Sequence, residues 1–412
     1  MPPDGSPAVG DEVPLEPERF VAGGEALARS SDGRVVFVRG GIPGDLVSAV
    51  VVDSRRDWSR ARVERVLEPA VDRITASCPT RLAGCGGCDW GEVSDAAAMG
   101  HKVGIVTDAL RRTARMEAEV EVGGSVARTG YRTTMRVIGD PAGRPALRVE
   151  GSNDPVGIDR CEVAHPSLAR ILETVRLTPG LEASLRVSAH DGTSTARWDR
   201  KAGEVTGLPE DTRSGRDAFL EEEVTTATGP LRLRVSAGSF FQSGPAAAGL
   251  LVDTVARLVP EHVNAGHLVD LYGGVGLFAV GLGSSAARLT LVESSRSATA
   301  DALVNLPRLD PPPAAIDVVT SEVGVWRPSP DSGAVDVVIA DPARSGLGRP
   351  GVAAVERLRP GVLALVSCDP VSMARDTGLL VEAGFRLESV VALDLFPGSH
   401  HVEVVSRFVM SR

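Results

Sequence analysis

From about residue 245 onward, short apolar runs alternate with helical segments, and this rhythm restricts the fold more than any other feature of the chain. The runs at 267–272, 288–293, 335–340 and 362–367 are rich in Leu, Val and Ile, with helical patterns near 296–306, 350–358 and 371–382. Strands joined through helices are linked by crossovers, so they run parallel and the helices cover both faces of the sheet. The final segments, 386–395 and 401–410, have no helix between them and are predicted to close the sheet as an antiparallel pair. Ligands bind such sheets at the carboxyl ends of the strands, where the strand order reverses.

Four of those ends carry chemistry. Asp270-Leu-Tyr-Gly-Gly-Val-Gly-Leu-Phe278 is a glycine-rich turn after the first strand. Glycines there let backbone approach a ligand closely, a weak signal shared by several nucleotide cofactors. Asp270 discriminates better, because it would repel a pyrophosphate and attract the sulfonium and ammonium of S-adenosylmethionine. Glu293 ends the second strand, where an acid accepts ribose hydroxyls, although both acids could instead cap helices. Asp341-Pro-Ala-Arg-Ser-Gly346 ends a third strand. Val366-Ser-Cys-Asp-Pro370 places Cys368 past a fourth; an inert core thiol is the ordinary alternative, but the Asp-Pro turn should present the thiol at the pocket. Glu403 falls where the last two strands turn, a place equally suited to an exposed acid. Together these groups suit one reaction. Carbon 5 of uracil is a poor nucleophile until a thiolate adds to carbon 6, and a base must afterwards remove the carbon 5 proton so that the thiolate can leave.

The remainder divides by pattern. Residues 1–10 are Pro, Gly and Asp rich and are predicted to form a disordered tail, and 11–70 alternate like the short strands of a small OB-type β-barrel. Residues 71–93 and 120–240 read as a central mixed domain, 94–119 as a helix packing on the catalytic domain, and 241–412 as the catalytic domain. Three of five cysteines, Cys78, Cys85 and Cys88, crowd into one loop, with Cys161 as the obvious fourth ligand. Four cysteines suit zinc or an iron–sulfur cluster, and the three-plus-one spacing favours [4Fe–4S].

A net charge of −10 argues mildly against a nucleic-acid partner, but two stretches are locally basic: Arg55, Arg56, Arg60, Arg62 and Arg65, then Lys102, Arg111, Arg112, Arg115, Arg128, Arg132 and Arg136. No basic start precedes an apolar run, and no apolar stretch is long enough to span a bilayer, so a cytoplasmic protein without a membrane partner is expected.

The combination of the Cys78–Cys88 loop, Phe240-Phe-Gln242, 270–278, 341–346, Ser367-Cys-Asp-Pro370, Ala374-Arg-Asp376 and His401-Val-Glu403 resembles the RNA 5-methyluridine methyltransferases, in the branch with an N-terminal TRAM domain and a four-cysteine cluster. The resemblance runs from about residue 10 to the end. It implies a multidomain α/β protein: an OB-like TRAM barrel, a central mixed α+β domain with an iron–sulfur loop, and a class I Rossmann-like methyltransferase domain. It implies Cys368 as nucleophile and Glu403 as proton acceptor, with Gln242, Tyr272, Gly274, Gly276, Glu293 and Asp341 toward S-adenosylmethionine. Cys78, Cys85, Cys88 and Cys161 would hold a [4Fe–4S] cluster, and Tyr131, Arg132 and Arg136 would lie near RNA, with the barrel gripping RNA away from the target. The expected substrate is a looped or flipped uridine, in ribosomal RNA ahead of transfer RNA, and a monomer is expected. Alternatives are a cytosine-5 RNA methyltransferase and a non-catalytic RNA-binding iron–sulfur protein. The chain departs from the family pattern at Gly273, Leu277, Asp369 and in Asp89-Trp-Gly-Glu-Val.

Overall fold

The computed structural model describes residues 7–215 and 217–411. Its first sheet contains β1 (Glu12–Leu15), β2 (Arg19–Phe20), β3 (Ala26–Arg29), β4 (Val35–Arg39), β5 (Leu46–Ser54) and β6 (Trp58–Glu68), in the order β1-β5-β6-β4-β3-β2. The two outermost strands, β1 and β2, are consecutive pieces of one run, so the sheet curls back on itself. Alternation decides what faces inward: Leu15, Val36, Val38, Val47 and Ala61 share one apolar core drawn from five strands. Residues 7–10, assigned to a disordered tail on composition, are tied to this sheet: Gly10 N–H donates to the Val51 carbonyl and Ser54 Oγ to that of Pro7. Residues 1–6 lie outside the described residues.

A loop containing α1 (Pro79–Leu82) leads into α2 (Asp95–Ala109), after which β7 (Val120–Ser125) follows. The central sheet is β10-β9-β8-β12-β13-β15, built from β8 (Thr134–Gly139), β9 (Pro145–Arg148), β10 (Pro155–Gly157), β12 (Glu182–Val187), β13 (Ser194–Trp198) and β15 (Arg213–Ser214). Beside it lie α3 (Pro166–Thr174) and a small ladder of β11 (Arg176–Leu177) with β14 (Val205–Thr206).

The packing around the last sheet begins earlier in the chain than the alternating pattern. The hairpin of β16 (Phe219–Thr226) and β17 (Gly229–Ser236) buries Leu220, Val224, Leu233 and Val235 in the same core as α4 (Pro245–Leu258). The main sheet has eight strands in the order β20-β19-β18-β21-β22-β24-β23-β7: β18 (His267–Leu271), β19 (Arg288–Glu293), β20 (Ala315–Thr320), β21 (Val337–Ala340), β22 (Val362–Ser367), β23 (Phe385–Asp394) and β24 (Glu403–Met410), with β7 on the edge. Strands β18 to β22 are parallel, and β24 is antiparallel to both β22 and β23. Crossover helices α5 (Leu277–Leu282), α6 (Arg296–Asn305), α7 (Gly348–Leu358) and α8 (Pro370–Glu382) cover the two faces. The sequence reading puts both β7 and the 219–236 hairpin in the central domain; in the structure β7 pairs with the free edge of β23 and the hairpin packs on α4. Among the described residues no helix is long and apolar enough to cross a membrane.

Candidate active site

The strand order reverses at β18, whose neighbours β19 and β21 lie on opposite sides. Asp270, Glu293, Asp341 and Cys368 all sit at the carboxyl ends of these strands. Strand β24 runs the other way, so its first residue, Glu403, lies at the same edge. The register pairs Ser367 with Val404, which sets Cys368 and Glu403 across from each other one step further on.

Burial makes this edge electrostatically unusual. Asp270 is wholly buried; its Oδ2 accepts from Ala279 N–H at 3.0 Å, while Oδ1 has no hydrogen-bond partner. Burial pushes its carboxyl up to about 8, helped by Asp341 and Glu293. Part of Asp341 still reaches solvent, yet burial raises it to about 7 against a 3.2 Å hydrogen bond from Gln242 Nε2. Glu403, only 3% exposed, is not the surface acid its turn allowed; burial and then Asp341 hold it well above the usual carboxylate range, with Arg344 opposing. The Cys368 thiol is raised to about 11, by burial first and then by Glu403 and Asp341, again with Arg344 opposing. Acids gathered where water is scarce favour a cation between them. A sulfonium with an ammonium meets that need, and the unpaired Oδ1 of Asp270 is a vacant acceptor for such a group.

The loops are held by partners outside the edge. Glu293 braces the glycine turn, accepting from Gly274 N–H at 3.2 Å and from Ser295 N–H at 2.6 Å. Gly276 has φ 94°, a left-handed conformation that costs glycine nothing, at the start of α5. Tyr272 takes φ 60° and packs its hydroxyl close to Gly351 of α7, a contact its sequence position did not suggest. Asp376 is fully buried and accepts from Leu347 and Gly348 N–H groups, fixing the loop that displays Arg344. Arg344 Nη2 lies 3.2 Å from His401 Nε2; guanidinium only donates, so this ring nitrogen accepts. Burial lowers His401 to about 4, keeping the ring neutral.

A small cavity of about 70 Å³ opens beside Cys368, and Ala22 and Gly23, between β2 and β3 of the N-terminal sheet, help line it with Arg344 and His401. The N-terminal region, expected to act away from the target base, thus borders this cavity. Its turn is seated tightly: a Cβ on Gly24 would lie 2.5 Å from Asp89 Oδ2 and 2.8 Å from His400 Nδ1. Asp89 and His400 are themselves bonded at 2.6 Å.

The four remaining cysteines lie within electrostatic reach of one another. Cys88 is raised to about 12, by burial and then by Cys161, Cys85 and Cys78. Gly87 N–H donates to Cys85 Sγ at 3.3 Å, and Thr80 Oγ1 donates to the Arg160 carbonyl, tying this loop to the segment between β10 and α3 that carries Cys161. Among the described residues no three His, Cys, Asp or Glu side chains gather as ligands of a single metal ion do. Much of the basic surface read from sequence is already paired. Lys102 is completely buried against Asp394, Arg111 and Arg112 bind Asp108, Arg128 binds Asp95, and Arg60 binds Glu25.

No family model matches the chain. An uncharacterized RNA methyltransferase of Streptomyces coelicolor is 33% identical over 97% of this chain and 93% of its own length. The 23S rRNA (uracil(1939)-C(5))-methyltransferase of Shewanella amazonensis is 27% identical over 98% of this chain and 97% of that one. Among solved structures, the tRNA (uracil-54, C5)-methyltransferase of Pyrococcus abyssi, in complex with S-adenosyl-L-homocysteine, superposes with a TM-score of 0.71 over 96% of this chain and 99% of that chain; at 21% identity it establishes the fold. On this likeness along nearly its whole length, the chain belongs to the RNA methyltransferase family that includes the uracil-C5 enzymes.

Proposed function

We propose that the protein methylates carbon 5 of a uridine in structured RNA, with S-adenosylmethionine as methyl donor. The observation carrying this reading is the pairing of Cys368 with buried Glu403 across one strand register, beside the acids of the glycine turn. The cofactor supplies the methyl cation when bound against Asp270, Glu293 and Asp341, with Gln242 and the backbone of Tyr272, Gly274 and Gly276 shaping its seat. Cys368 adds to carbon 6 of the uracil as a thiolate. Its raised pKa means the thiol must pass its proton to solvent as incoming positive charge offsets Glu403 and Asp341, which leaves Glu403 free for the later step. Carbon 5 then takes the methyl group, and Glu403, ionised by the positive charge brought in with the cofactor and kept basic by burial, accepts the carbon 5 proton while the sulfur–carbon bond breaks and the thiolate leaves. Because the thiol lines a small cavity rather than an open surface, the uridine must leave its stack to reach it.

The same reading takes residues 11–70 as a TRAM barrel of OB type and 241–412, with β7 and the 219–236 hairpin, as the class I methyltransferase domain. The residues fit a [4Fe–4S] cluster at Cys78, Cys85, Cys88 and Cys161. The donor set is all thiol, and a backbone N–H points at one sulfur. Gly86 leaves no space for a larger residue there, since a Cβ would lie 2.9 Å from Glu150 Cα. The relatives' names support ribosomal or transfer RNA as the substrate class.

The test is methyl transfer from labelled S-adenosylmethionine to unmodified RNA. Cys368→Ala should abolish transfer, and Glu403→Gln should slow it while letting a covalent RNA adduct accumulate. Full activity of Cys368→Ala, or methyl groups found only on cytidine, overturns the reading. For the cluster, iron and sulfide should be released together in Cys161→Ala, and bound zinc in the wild type would refute it.

A further inference from the structure

Glu403 follows a turn, residues 395–402, that joins β23 to β24 and lies outside both strands, so no ladder fixes its course. Part of what fixes it comes from the cysteine loop. One carboxylate oxygen of Asp89, the residue after Cys88, accepts from His400 N–H at 3.2 Å, and the other lies 2.6 Å from His400 Nδ1. A carboxylate only accepts, so Nδ1 donates and the ring is held in one orientation. The next residue adds a second tie, with Trp90 N–H donating to the Gly398 carbonyl at 2.9 Å. The loop that makes these contacts is itself braced. Arg81, with 11% of its side chain exposed, donates to the carbonyls of Cys85 and Asp89 and pairs with Glu92 and Glu150. Trp90 Nε1 also donates to the Gly24 carbonyl at 3.0 Å, which draws the N-terminal sheet onto the same point.

From His400 the contacts lead directly to the chemistry. Its ring lies 4.1 Å from that of His401, centroid to centroid, and His401 Nε2 accepts from Arg344. Arg344 is the cation that opposes the acids around Cys368 and Glu403. Both histidines line the cavity beside the thiol. Asp89 and His400 keep only 17% and 26% of their side chains exposed, so their bond is charge-assisted and poorly screened by water. Without it the His400 ring is free to turn, and the His401–Arg344 pair loses the surface it packs on.

We propose that Asp89 and His400 are positioning residues for methyl transfer: their bond holds the 395–402 turn in place, so that the cysteine loop buttresses the catalytic edge. The idea rests on the RNA-methylation reading and adds to it what sets Glu403 and the His401–Arg344 pair against Cys368.

Hydrogen exchange of peptides covering 395–402, read by mass spectrometry, reports the turn, and steady-state methyl transfer to unmodified RNA reports the chemistry. Asp89→Ala should speed exchange by roughly ten- to a hundred-fold, the range of one lost hydrogen bond to a charged group, and lower kcat while KM for RNA and for cofactor holds. Asp89→Asn, whose amide can accept from His400 N–H and donate to Nδ1, should recover most of both. His400→Ala carries the same expectation and leaves every residue of the cysteine loop in place, so a loop that fails to fold in Asp89→Ala does not decide the matter. The double variant should lose much less than the product of the two single losses, because both act through one contact. Exchange as slow as wild type in His400→Ala, a loss confined to KM, or fully multiplicative losses overturn the proposal. Faster exchange in the variants of a wild type that methylates no uridine sinks only the proposed reaction, whereas faster exchange at unchanged kcat in an active enzyme sinks only the positioning role.

Discussion

Replacing Lys102 by Met removes a cation that is completely enclosed. Its Nζ donates to Asp394 Oδ1 at 2.6 Å and to the Phe396 carbonyl at 3.4 Å, joining α2 to the start of the turn that ends at Glu403. Met fills nearly the same volume, so little cavity is created and the cost is chiefly electrostatic: the Asp394 carboxylate, almost enclosed, loses its counter-ion. Breaking one side of a buried pair costs about 3–5 kcal/mol. For a domain of this size that corresponds to a fall of roughly 6–20 °C in Tm. Circular dichroism melting of the whole chain measures it, and the double variant Lys102→Met with Asp394→Asn should recover more than half the loss, because no unpaired charge then remains. Methyl transfer should drop in the single variant mainly through kcat, since Phe396 N–H also depends on Asp394 and the 396–403 turn positions Glu403. A single variant as stable as wild type, or a double variant no better than the single, refutes the argument.

Cofactor affinity should rise with pH between about 6 and 9, because Asp270 near 8 and Asp341 near 7 must ionise to meet a cation. Binding should therefore release protons, as calorimetry in two buffers of different ionisation heat would reveal; S-adenosylhomocysteine, lacking the sulfonium charge, should release fewer, and equal release would count against the acids' role. The ligand-free protein should behave in the opposite sense. Carboxyls whose folded pKa is raised retain protons that the unfolded chain has lost, so their contribution to stability falls as pH climbs from about 4 toward 8 and is flat above, a trend readable in urea midpoints. Asp376→Ala should free the 344–348 loop and lower kcat together with Tm, because two backbone N–H groups lose their buried acceptor; unchanged kcat would show that Arg344 needs no such brace. Removing residues 1–70 should expose Trp90, now packed on Phe20 with ring centroids 4.1 Å apart, and open the cavity beside Cys368, so kcat should fall along with RNA affinity. A fall in affinity alone would mean that residues 1–70 merely anchor the RNA.

The strand-end residues were legible because their signal is local. A parallel strand is a short apolar run, and whatever follows it must lie at the ligand edge, which located Asp270, Glu293, Asp341 and Cys368 from spacing alone. What no local pattern carries is which distant segments complete one another. Lys102 looks basic and available in sequence, yet only the meeting of α2 with the end of β23 makes it a buried counter-ion. Strand β7 reads like the strands after it, and only the open edge of β23 draws it into the catalytic sheet. Phe240 and Phe241 are neighbours of one type in sequence, and only the fold exposes the first and buries the second. Glu403 could have been any turn acid until antiparallel register set it opposite Cys368 under a cover of apolar neighbours. Periodicity and turn chemistry are properties of neighbours along the chain. Burial, counter-ions and shifted acidities belong to neighbours in space, and those exist only once the sheet, hairpin and barrel have closed around the site.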